Sequence, residues 1–264
     1  MLPQVCFGQY QISRLICGSN PFLGYSYRSP AHDAWQRRTF TPDRVAEVLA
    51  VCLEHGINAV TGNWDDNATV GQALEVCEHK VGKRPSWIAY TYGGPEGQVD
   101  CINRIADYGA IACFIQGGTV DRSFTYDLFG GLDLSQPDRC DQVIPWLEEI
   151  RKRGMIPGLG THRPPILHLA EERGYGAEFY VTTLNFAGIY CDYADAVRAI
   201  HSIQKPFIAI KTLGGGCVVK PRDGLTCAYA SLKRTDLVAL GMENEEIVEY
   251  NAKLAADIIA CLAL

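Results

Sequence analysis

The strongest constraint on this chain is a repeated unit in which a short apolar run is followed by a segment with helical periodicity. Eight apolar runs are predicted to be strands, at residues 12–17, 58–61, 86–92, 111–116, 155–159, 178–182, 206–211 and 237–240. This alternation is typical of parallel strands joined by crossover helices. It predicts an α/β fold, a (β/α)8 TIM barrel in which residues 1–264 form a single domain. An open, doubly wound sheet is the alternative, but it usually has fewer strands.

The helix after the first strand has the clearest boundaries. Thr41 is a favourable N-cap, Pro42 suits the first helical position, and Gly56 ends the segment. Further helices are expected at 69–80, 98–108, 139–153, 164–173, 192–203, 222–232 and 244–263. Residues 1–12 turn at Gly8 and are expected to form a hairpin that closes the floor of the barrel.

Two predicted connections are long, residues 19–40 after the first strand and residues 117–138 after the fourth. Long connections in a compact fold are often functional. Both leave the carboxyl ends of strands, where barrel enzymes place their active sites. We therefore expect the functional residues at that end.

Composition and charge restrict the classes of partner. The net charge is −6 and no run of Lys or Arg occurs, which argues against a nucleic-acid or anionic membrane surface. No stretch approaches the ~18–20 apolar residues of a membrane helix, and the start of the chain lacks the pattern of a signal peptide. The 11 cysteines include no C-x-x-C pair, so buried reduced thiols are expected. We expect a cytoplasmic protein with a small-molecule substrate and no nucleic-acid or membrane partner; the oligomeric state stays open.

Four segments in register carry a family resemblance. They are residues 8–18 (GQYQISRLICG), 54–58 (EHGIN), 208–216 (IAIKTLGGG) and 240–251. In this order they resemble the opening hairpin and first strand, the junction before the catalytic aspartate, the seventh strand, and the last strand with its helix in the aldo/keto reductases. The resemblance implies a barrel that reduces carbonyls with NADPH.

The same resemblance implies an Asp-Tyr-Lys-His catalytic set, but the matching positions carry other residues. The aspartate position falls on Thr61, the tyrosine position on Asp66, and the lysine position on Thr91 or Tyr92. The histidine position falls on Gln116. A carboxylate replaces a phenol as proton donor at neutral pH only after a large rise of its pKa. Ordinary NADPH-dependent carbonyl reduction is therefore disfavoured.

The resemblance also implies a nucleotide site near the last strand and helix. Gly241 ends that strand, and Asn251 matches a position that contacts the nucleotide. Glu243, Glu245 and Glu246 stand where the family binds the extra phosphate of NADP, so NAD is expected to be tolerated better than NADP. Acidic residues in the first turn of a helix are also common for structural reasons.

Glycines after the seventh predicted strand are a further candidate for cofactor binding. Gly214 and Gly215 lie where barrels often bind phosphate, and a plain tight turn is the alternative. NAD(P) is thus a weakly supported cofactor.

The chain also resembles a less studied branch of aldo/keto reductase-like proteins. Residues 18–24 (GSNPFLG) resemble its G-N-P-x-x-G-type segment, and His162, Asn185 and Lys211 match its polar positions on the fifth, sixth and seventh units. Gln116 departs from the H-G-G that follows the fourth strand in that branch. This second resemblance implies no firm activity.

Four residues at predicted strand ends are catalytic candidates. His162 follows a glycine-rich strand end and is a candidate general acid or base, with capping of the next helix as the alternative. Lys211 is predicted inside an apolar strand, where a lysine is costly to bury. It is a candidate for anion binding, Schiff-base formation or enolate stabilisation, with a structural ion pair as the alternative. Asp66 is a candidate base and Tyr92 a candidate proton donor.

Six further polar or aromatic residues share this predicted position and are candidates for substrate binding: Asn20, Asn63, Trp64, Asp65, Gln116 and Asn185. An aromatic ring such as Trp64 can stack on a ring or a sugar. For Asp65, a cap on the helix that begins near Thr69 is the alternative. A metal site is not expected, since no H-x-H or H-x-x-x-H pair occurs.

Three functions are compatible with these observations. We favour an enzyme that transfers a proton next to a carbonyl, such as an epimerase, isomerase or lyase, with His162, Asp66 and Lys211 as its working groups. A divergent NAD(P)-dependent oxidoreductase, with Tyr92 or His162 as proton donor, is the first alternative. A non-catalytic, ligand-binding barrel is the second, since a fold by itself is a weak guide to function.

Overall fold

Eight parallel strands close into a barrel in the computed structural model, which describes residues 2–65, 67–124, 143–216 and 218–262. The barrel strands are β3 (Leu15–Gly18), β4 (Ala59–Asn63), β5 (Ser86–Tyr90), β6 (Ala112–Ile115), β7 (Ile156–Thr161), β8 (Phe179–Thr183), β9 (Phe207–Ile210) and β10 (Leu237–Gly241). Each strand pairs with the next along the chain, and β10 pairs with β3 to close the ring. The predicted single-domain (β/α)8 TIM barrel is confirmed.

A hairpin precedes the barrel. Its strands β1 (Gln4–Phe7) and β2 (Tyr10–Ser13) pair antiparallel. The Phe7 ring packs edge-on against Phe179, with 4.9 Å between ring centroids, inside the barrel. Because Phe179 begins β8, the hairpin covers the amino-terminal end of the barrel.

The prediction of one strand over residues 12–17 is wrong. The chain bends at Arg14, and β2 and β3 are separate strands in separate sheets. The bend is held by two backbone donors, since the Ser13 N–H binds Asn58 Oδ1 at 2.8 Å and the Arg14 N–H binds the Pro3 carbonyl at 3.0 Å. Because residues on both sides of the bend are apolar, hydrophobic periodicity does not predict the break between the two strands.

Helices surround the strands. They are α1 (Pro30–Thr39), α2 (Pro42–Glu54), α3 (Thr69–Val81), α4 (Gln98–Asp107), α5 (Gly117–Arg122), α6 (Val143–Lys152), α7 (Pro164–Glu172), α8 (Tyr193–Ser202), α9 (Pro221–Ser231) and α10 (Glu245–Cys261). Seven of them, α3, α4 and α6 to α10, overlap predicted helical segments, with ends that differ by a few residues. Helix α2 begins directly after Thr41, as predicted.

The two long connections contain helices that periodicity does not predict. Helix α1 lies in the first connection, and among its residues only Gln36 is buried, so it shows no apolar stripe. Its start does have a sequence signal, because Ser29 accepts from the His32 N–H and Pro30 occupies the first turn. Helix α5 lies in the second connection, of which residues 125–142 are outside the described ranges.

Alternation along the barrel strands divides the apolar residues between two layers. Ile16 belongs to the cluster inside the barrel, whereas its neighbours Leu15 and Cys17 belong to the cluster between strands and helices. The interior is filled with side chains, so it is a packed core and the functional surface must lie at an end. No helix in the described part of the chain combines the length and apolar character needed to cross a bilayer.

A polar cluster at the amino-terminal end joins three charged residues. Asp236 is fully buried, and its carboxylate accepts from the Phe207 and Lys233 N–H groups at 2.9 and 2.8 Å. The Lys233 ammonium lies 3.1 Å from the same carboxylate, and the Arg14 guanidinium donates to the carbonyls of Asp236 and Lys233. Burial lowers the pKa of Lys233 and raises the pKa of Asp236. The attraction between the two charges opposes both shifts. This cluster is a structural ion pair, since each charged group has its partners within the fold.

Candidate active site

The carboxyl ends of the barrel strands bring together the polar residues predicted from the sequence. His162 directly follows β7 and Lys211 directly follows β9. Gln116 directly follows β6, and Asn185 lies just beyond β8. Because all eight strands are parallel, these residues surround one mouth of the barrel.

The prediction that Lys211 lies inside a strand is wrong. Strand β9 ends at Ile210, and Lys211 has a φ of 55°, in the left-handed region that residues with a Cβ seldom occupy. Such a backbone conformation costs on the order of 1–3 kcal/mol and is typical of functional sites. The bend turns the chain at the mouth instead of continuing the barrel wall.

Three side chains form a hydrogen-bonded row at this mouth. Lys211 Nζ lies 3.0 Å from His162 Nε2, and His162 Nδ1 lies 2.8 Å from Asp121 Oδ2. Asp121 also accepts from the Thr161 hydroxyl and from the His162 N–H at 3.3 Å. Thr161 and His162 belong to one segment and Asp121 to α5, so these contacts lock α5 onto the end of β7.

The row determines which nitrogen of His162 is free for chemistry. An ionised Asp121 accepts the Nδ1 proton, which leaves Nε2 as an acceptor that faces Lys211. At Nε2 the ring can receive a proton, and Asp121 stabilises the imidazolium that results. The arrangement is that of an oriented general base.

The surroundings of Lys211 are aromatic rather than ionic. Its Nζ lies 5.0 Å from the ring centroid of Tyr190 and 5.8 Å from that of Tyr27. These distances are within the range of cation–π contacts. Burial lowers the pKa of Lys211, and the negative charge of Asp121 partly opposes that shift. More of the side chain is therefore a neutral amine than in a solvated lysine.

Asn185 holds the backbone on both sides of this lysine. Its Nδ2 donates to the carbonyls of Ile189 and Lys211, at 3.0 and 3.3 Å, and its Oδ1 accepts from the Ile189 N–H at 3.0 Å. The next residue, Tyr190, also has a left-handed φ of 69°. Asn185 is buried, so it positions Lys211 and Tyr190 without facing the mouth itself.

Asn20 links aromatic residues from two sides of the mouth. Its Nδ2 donates to the Tyr27 hydroxyl at 2.8 Å, and its Oδ1 accepts from the Tyr90 hydroxyl at 3.3 Å. Burial raises the pKa of Tyr27, and burial likewise raises the pKa of Tyr90. Both phenols therefore stay neutral at pH 7, and Asn20 fixes the ring that flanks Lys211.

Three predicted residues lie near the mouth without a contact to the row in the described chain. Tyr92 is about half-exposed, and its hydroxyl interacts with that of Tyr25. Gln116 begins α5, and its carbonyl accepts from the N–H groups of that helix's first turn. Asn63 is buried at the end of β4, where its Nδ2 donates to the Trp64 carbonyl at 2.9 Å.

The remaining predictions on the β4–α3 connection have other surroundings. Trp64 packs against Tyr108, with 5.2 Å between ring centroids, and lies beneath the Arg104 guanidinium at the outer surface. Asp65 accepts from the N–H and the hydroxyl of Thr69, at 2.7 and 2.8 Å, so it caps the start of α3. Asp66 lies outside the described residues.

The start of α10, where the resemblance implies a nucleotide phosphate, is filled by internal pairs. Glu243 accepts from Gln36 at 2.6 Å and lies 3.0 Å from His32 Nε2. Glu245 and the Arg44 guanidinium form a two-point ion pair at 2.6 and 2.8 Å, and this hydrogen bonding lowers the pKa of Glu245.

Two more features of α10 bear on the nucleotide. The side chain of Asn244 takes up the Ile247 N–H that a phosphate would use. Asn251, the predicted contact residue, is buried, and its Oδ1 has no hydrogen-bond partner among the described residues. Because the polar groups at the start of α10 are already paired within the fold, they do not suit a nucleotide phosphate.

The glycines after β9 form a turn whose amides are mostly engaged. The Gly214 N–H donates to the Lys211 carbonyl at 2.8 Å, and the Gly216 N–H donates to the Leu213 carbonyl at 3.3 Å. Gly215 lies against Tyr27, where a Cβ would come within 3.5 Å of that side chain. Gly241 ends β10 beside Pro21. In the described ranges no three His, Cys, Asp or Glu side chains are grouped in a way that could hold a metal ion.

Three residues of this site were not assigned a role from the sequence: the His162 partner Asp121 and the two rings around Lys211, Tyr27 and Tyr190. Each belongs to a connection between strand and helix, and nothing in the local sequence says which side chain of a connection turns inward. Asp121 is one of the polar residues that the sequence places near the predicted strand ends, but it lies in α5, and its sequence position gives it no role.

Comparisons with known proteins support the architecture. No protein-family model matches the sequence, and no curated protein matches it. A solved structure of a candidate aldo-keto reductase from Pseudomonas aeruginosa superimposes with a TM-score of 0.65 and 14% identity, covering 98% of this chain and 95% of that one. A truncated 3-deoxy-D-arabino-heptulosonate 7-phosphate synthase from Thermotoga maritima has a TM-score of 0.58 and 12% identity, covering 99% and 93%. These similarities show the TIM-barrel fold.

Proposed function

We propose that this protein catalyses proton transfer at a carbon next to the carbonyl group of a small-molecule substrate, as an epimerase, isomerase or lyase does. The observation that carries the proposal is the row Lys211–His162–Asp121 at the mouth of the barrel. His162 takes the proton at Nε2, and Asp121 holds the ring and stabilises its charged form. Lys211 Nζ lies 3.0 Å from that nitrogen, close enough to act on the carbonyl oxygen that gains charge.

The start of α10 supports proton chemistry over hydride transfer from a nicotinamide nucleotide. Arg44 and His32 are paired with Glu245 and Glu243, so a phosphate would have to displace both carboxylates. We expect that titration of the protein with NADH or NADPH, followed by nucleotide fluorescence, gives no saturable binding up to ~1 mM, the upper end of ordinary affinities for such ligands. Saturable binding would favour the oxidoreductase alternative instead.

Solvent hydrogen exchange tests the proposed reaction directly. The protein is incubated in D2O with a panel of small ketones and 2-oxo acids, and loss of the α-proton signal is followed by proton NMR. We expect exchange with at least one compound, and its loss in His162→Gln, whose amide preserves polarity but removes the base. Lys220→Met is the matched control, since Lys220 is exposed at the start of α9.

Two results would contradict the proposal. One is exchange by His162→Gln at the wild-type rate. The other is a wild-type protein that exchanges no compound of the panel while binding one of them, which is the behaviour of a non-catalytic barrel.

A further inference from the structure

The amine of Lys211 has no ionic partner in the described part of the chain. It forms no ion pair with a carboxylate there, and its hydrogen-bonding partner is His162 Nε2. An ion-paired ammonium is a poor nucleophile, because its lone pair carries a proton that the partner stabilises. Lys211 has no such carboxylate partner in the described chain. Burial also lowers its pKa, which favours the neutral, nucleophilic amine.

We infer that Lys211 is a covalent catalyst, which attacks the substrate carbonyl carbon through Nζ and forms a protonated imine. This inference rests on the proposed function and deepens it, since it makes the ligand class a ketone or aldehyde with an α-proton. The lysine then acts on the carbonyl by forming a bond to it, instead of only through its charge.

The step balances with the groups of the row. His162 Nε2 first accepts one proton from the Lys211 ammonium, which frees the Nζ lone pair. That lone pair forms the carbon–nitrogen bond while the carbonyl π electrons move to oxygen, and the imidazolium gives its proton to that oxygen. A second proton then passes from Nζ through His162 Nε2 to the same oxygen, which leaves as water when the carbon–oxygen bond breaks. The third proton stays on the imine nitrogen, and no oxidant or reductant is needed.

The next step uses the same histidine. After water leaves, His162 Nε2 is again free to accept, and it lies 3.0 Å from the Nζ position. The cationic imine draws electrons from the neighbouring carbon, so its α-proton is acidic enough for an imidazole base. Proton return and attack by water on the imine carbon reverse the sequence and release the lysine.

The aromatic residues around Nζ suit a cationic imine. Tyr190 and Tyr27 lie 5.0 and 5.8 Å from Nζ, and their ring faces stabilise a cation without forming a salt bridge. A carboxylate in the same place would stabilise the free ammonium and slow the attack. The rings are held by the contacts of Asn20 and by the loop that Asn185 closes.

Reductive trapping tests the inference. The full-length protein is incubated at neutral pH with hydroxyacetone, pyruvate or glyceraldehyde and sodium cyanoborohydride, which converts an imine into a stable secondary amine. Peptide mass spectrometry then compares Lys211 with the exposed Lys152 and Lys253, which are 77% and 76% exposed. We expect at least about tenfold more adduct on Lys211, because burial favours its neutral amine and His162 Nε2 can accept the protons that Nζ loses.

Variants separate a specific reaction from general lysine chemistry. In His162→Gln, adduct on Lys211 should fall while adduct on Lys152 and Lys253 stays unchanged. Lys220→Arg, at an exposed position near the same mouth, should leave trapping at Lys211 unaffected. Circular dichroism spectra identify any variant that fails to fold, and the comparison within the wild-type chain needs no variant.

The outcomes distinguish the inference from the proposed function. No excess of adduct on Lys211 with any of the three compounds overturns the inference. If α-proton exchange nevertheless depends on His162, the proposed function stands and Lys211 acts only through its charge. Adduct on Lys211 without α-proton exchange supports the imine and contradicts the proposed proton transfer.

Discussion

The two ends of the barrel each contain a partly buried lysine beside aromatic rings, and the two lysines differ in their remaining partners. At the amino-terminal end, Lys233 lies 4.5 Å from the Phe207 ring centroid, donates to the Ile200 carbonyl at 2.8 Å and pairs with Asp236. At the carboxyl end, Lys211 has two tyrosine rings and an imidazole nitrogen.

Burial lowers the pKa of both lysines, so a lowered pKa alone does not mark a functional group. The difference lies in what the ammonium is bonded to. Lys233 has a carboxylate and a carbonyl as fixed acceptors inside the fold, which is a structural arrangement. Lys211 is hydrogen-bonded to an imidazole, a group that can itself change protonation state, at the end where TIM-barrel enzymes place their active sites.

The largest expected effect separates the lysines by activity. Lys211→Met should reduce α-proton exchange by roughly 10²–10⁴-fold, since it removes a group that acts on the reacting atoms. Lys233→Met, assayed at a temperature where it is fully folded, should exchange at close to the wild-type rate. Exchange rates from NMR check this, and equal losses in both variants would show that the distinction between the two ends is wrong.

The free energy of unfolding should show the opposite order, with Lys233→Met the more strongly affected variant. Lys233→Met leaves the carboxylate of Asp236 buried without its cation, which should cost about 3–5 kcal/mol in the free energy of unfolding. Lys211→Met removes no ion pair within the described chain and should not lower the free energy of unfolding. Urea denaturation measures both, and Lys253→Met, at an exposed helical position, is the neutral control.

Asn185 provides a smaller test at the carboxyl end. Asn185→Ala removes the three hydrogen bonds that hold the Lys211 carbonyl and the Ile189 backbone, while both side chains of the proposed reaction remain. A displacement of the reacting groups by ~1 Å should lower kcat by up to about 10²-fold, with a smaller change in KM. A larger change in KM than in kcat would indicate that Asn185 binds substrate instead of positioning Lys211.

The smallest expected effect is the pH dependence of stability. Burial holds the pKa of Lys211 below that of the unfolded chain, so the unfolded state binds more protons between the two values, and stability rises with pH through that window up to ~10.4. Lys211→Met should therefore raise the free energy of unfolding at neutral pH, because it removes a group whose protonated form is disfavoured in the fold. The gain should shrink as pH approaches 10.

The groups that face Lys211 also contribute to the pH dependence of stability, and the substitution does not change them. His162, Asp121, Tyr27 and Tyr190 surround it, and the substitution to Met leaves them in place. The left-handed φ is retained as well, because Met and Lys are strained there to the same extent. Unfolding measured across pH for both proteins checks the prediction, and a constant difference would contradict it.

Much of the fold follows from the sequence because strand and helix periodicities are local signals. The alternation over 264 residues predicts the closed barrel, and parallel strands place His162, Lys211 and Asn185 at one end before any coordinates are known. The bend at Arg14 and helix α1 escape such a reading. The first is set by hydrogen bonds to residues distant in the chain, and the second lacks an apolar stripe.

The sequence by itself determined the barrel and placed the candidate site residues at the carboxyl ends of its strands. Only the tertiary structure decided which polar residues at that end meet. It joined Asp121 to His162 and His162 to Lys211, and it turned Asp65 toward Thr69 as a cap and Trp64 toward α4. The reason is that connections between strands and helices carry no periodic pattern, so the direction of their side chains is set by contacts between segments far apart in sequence.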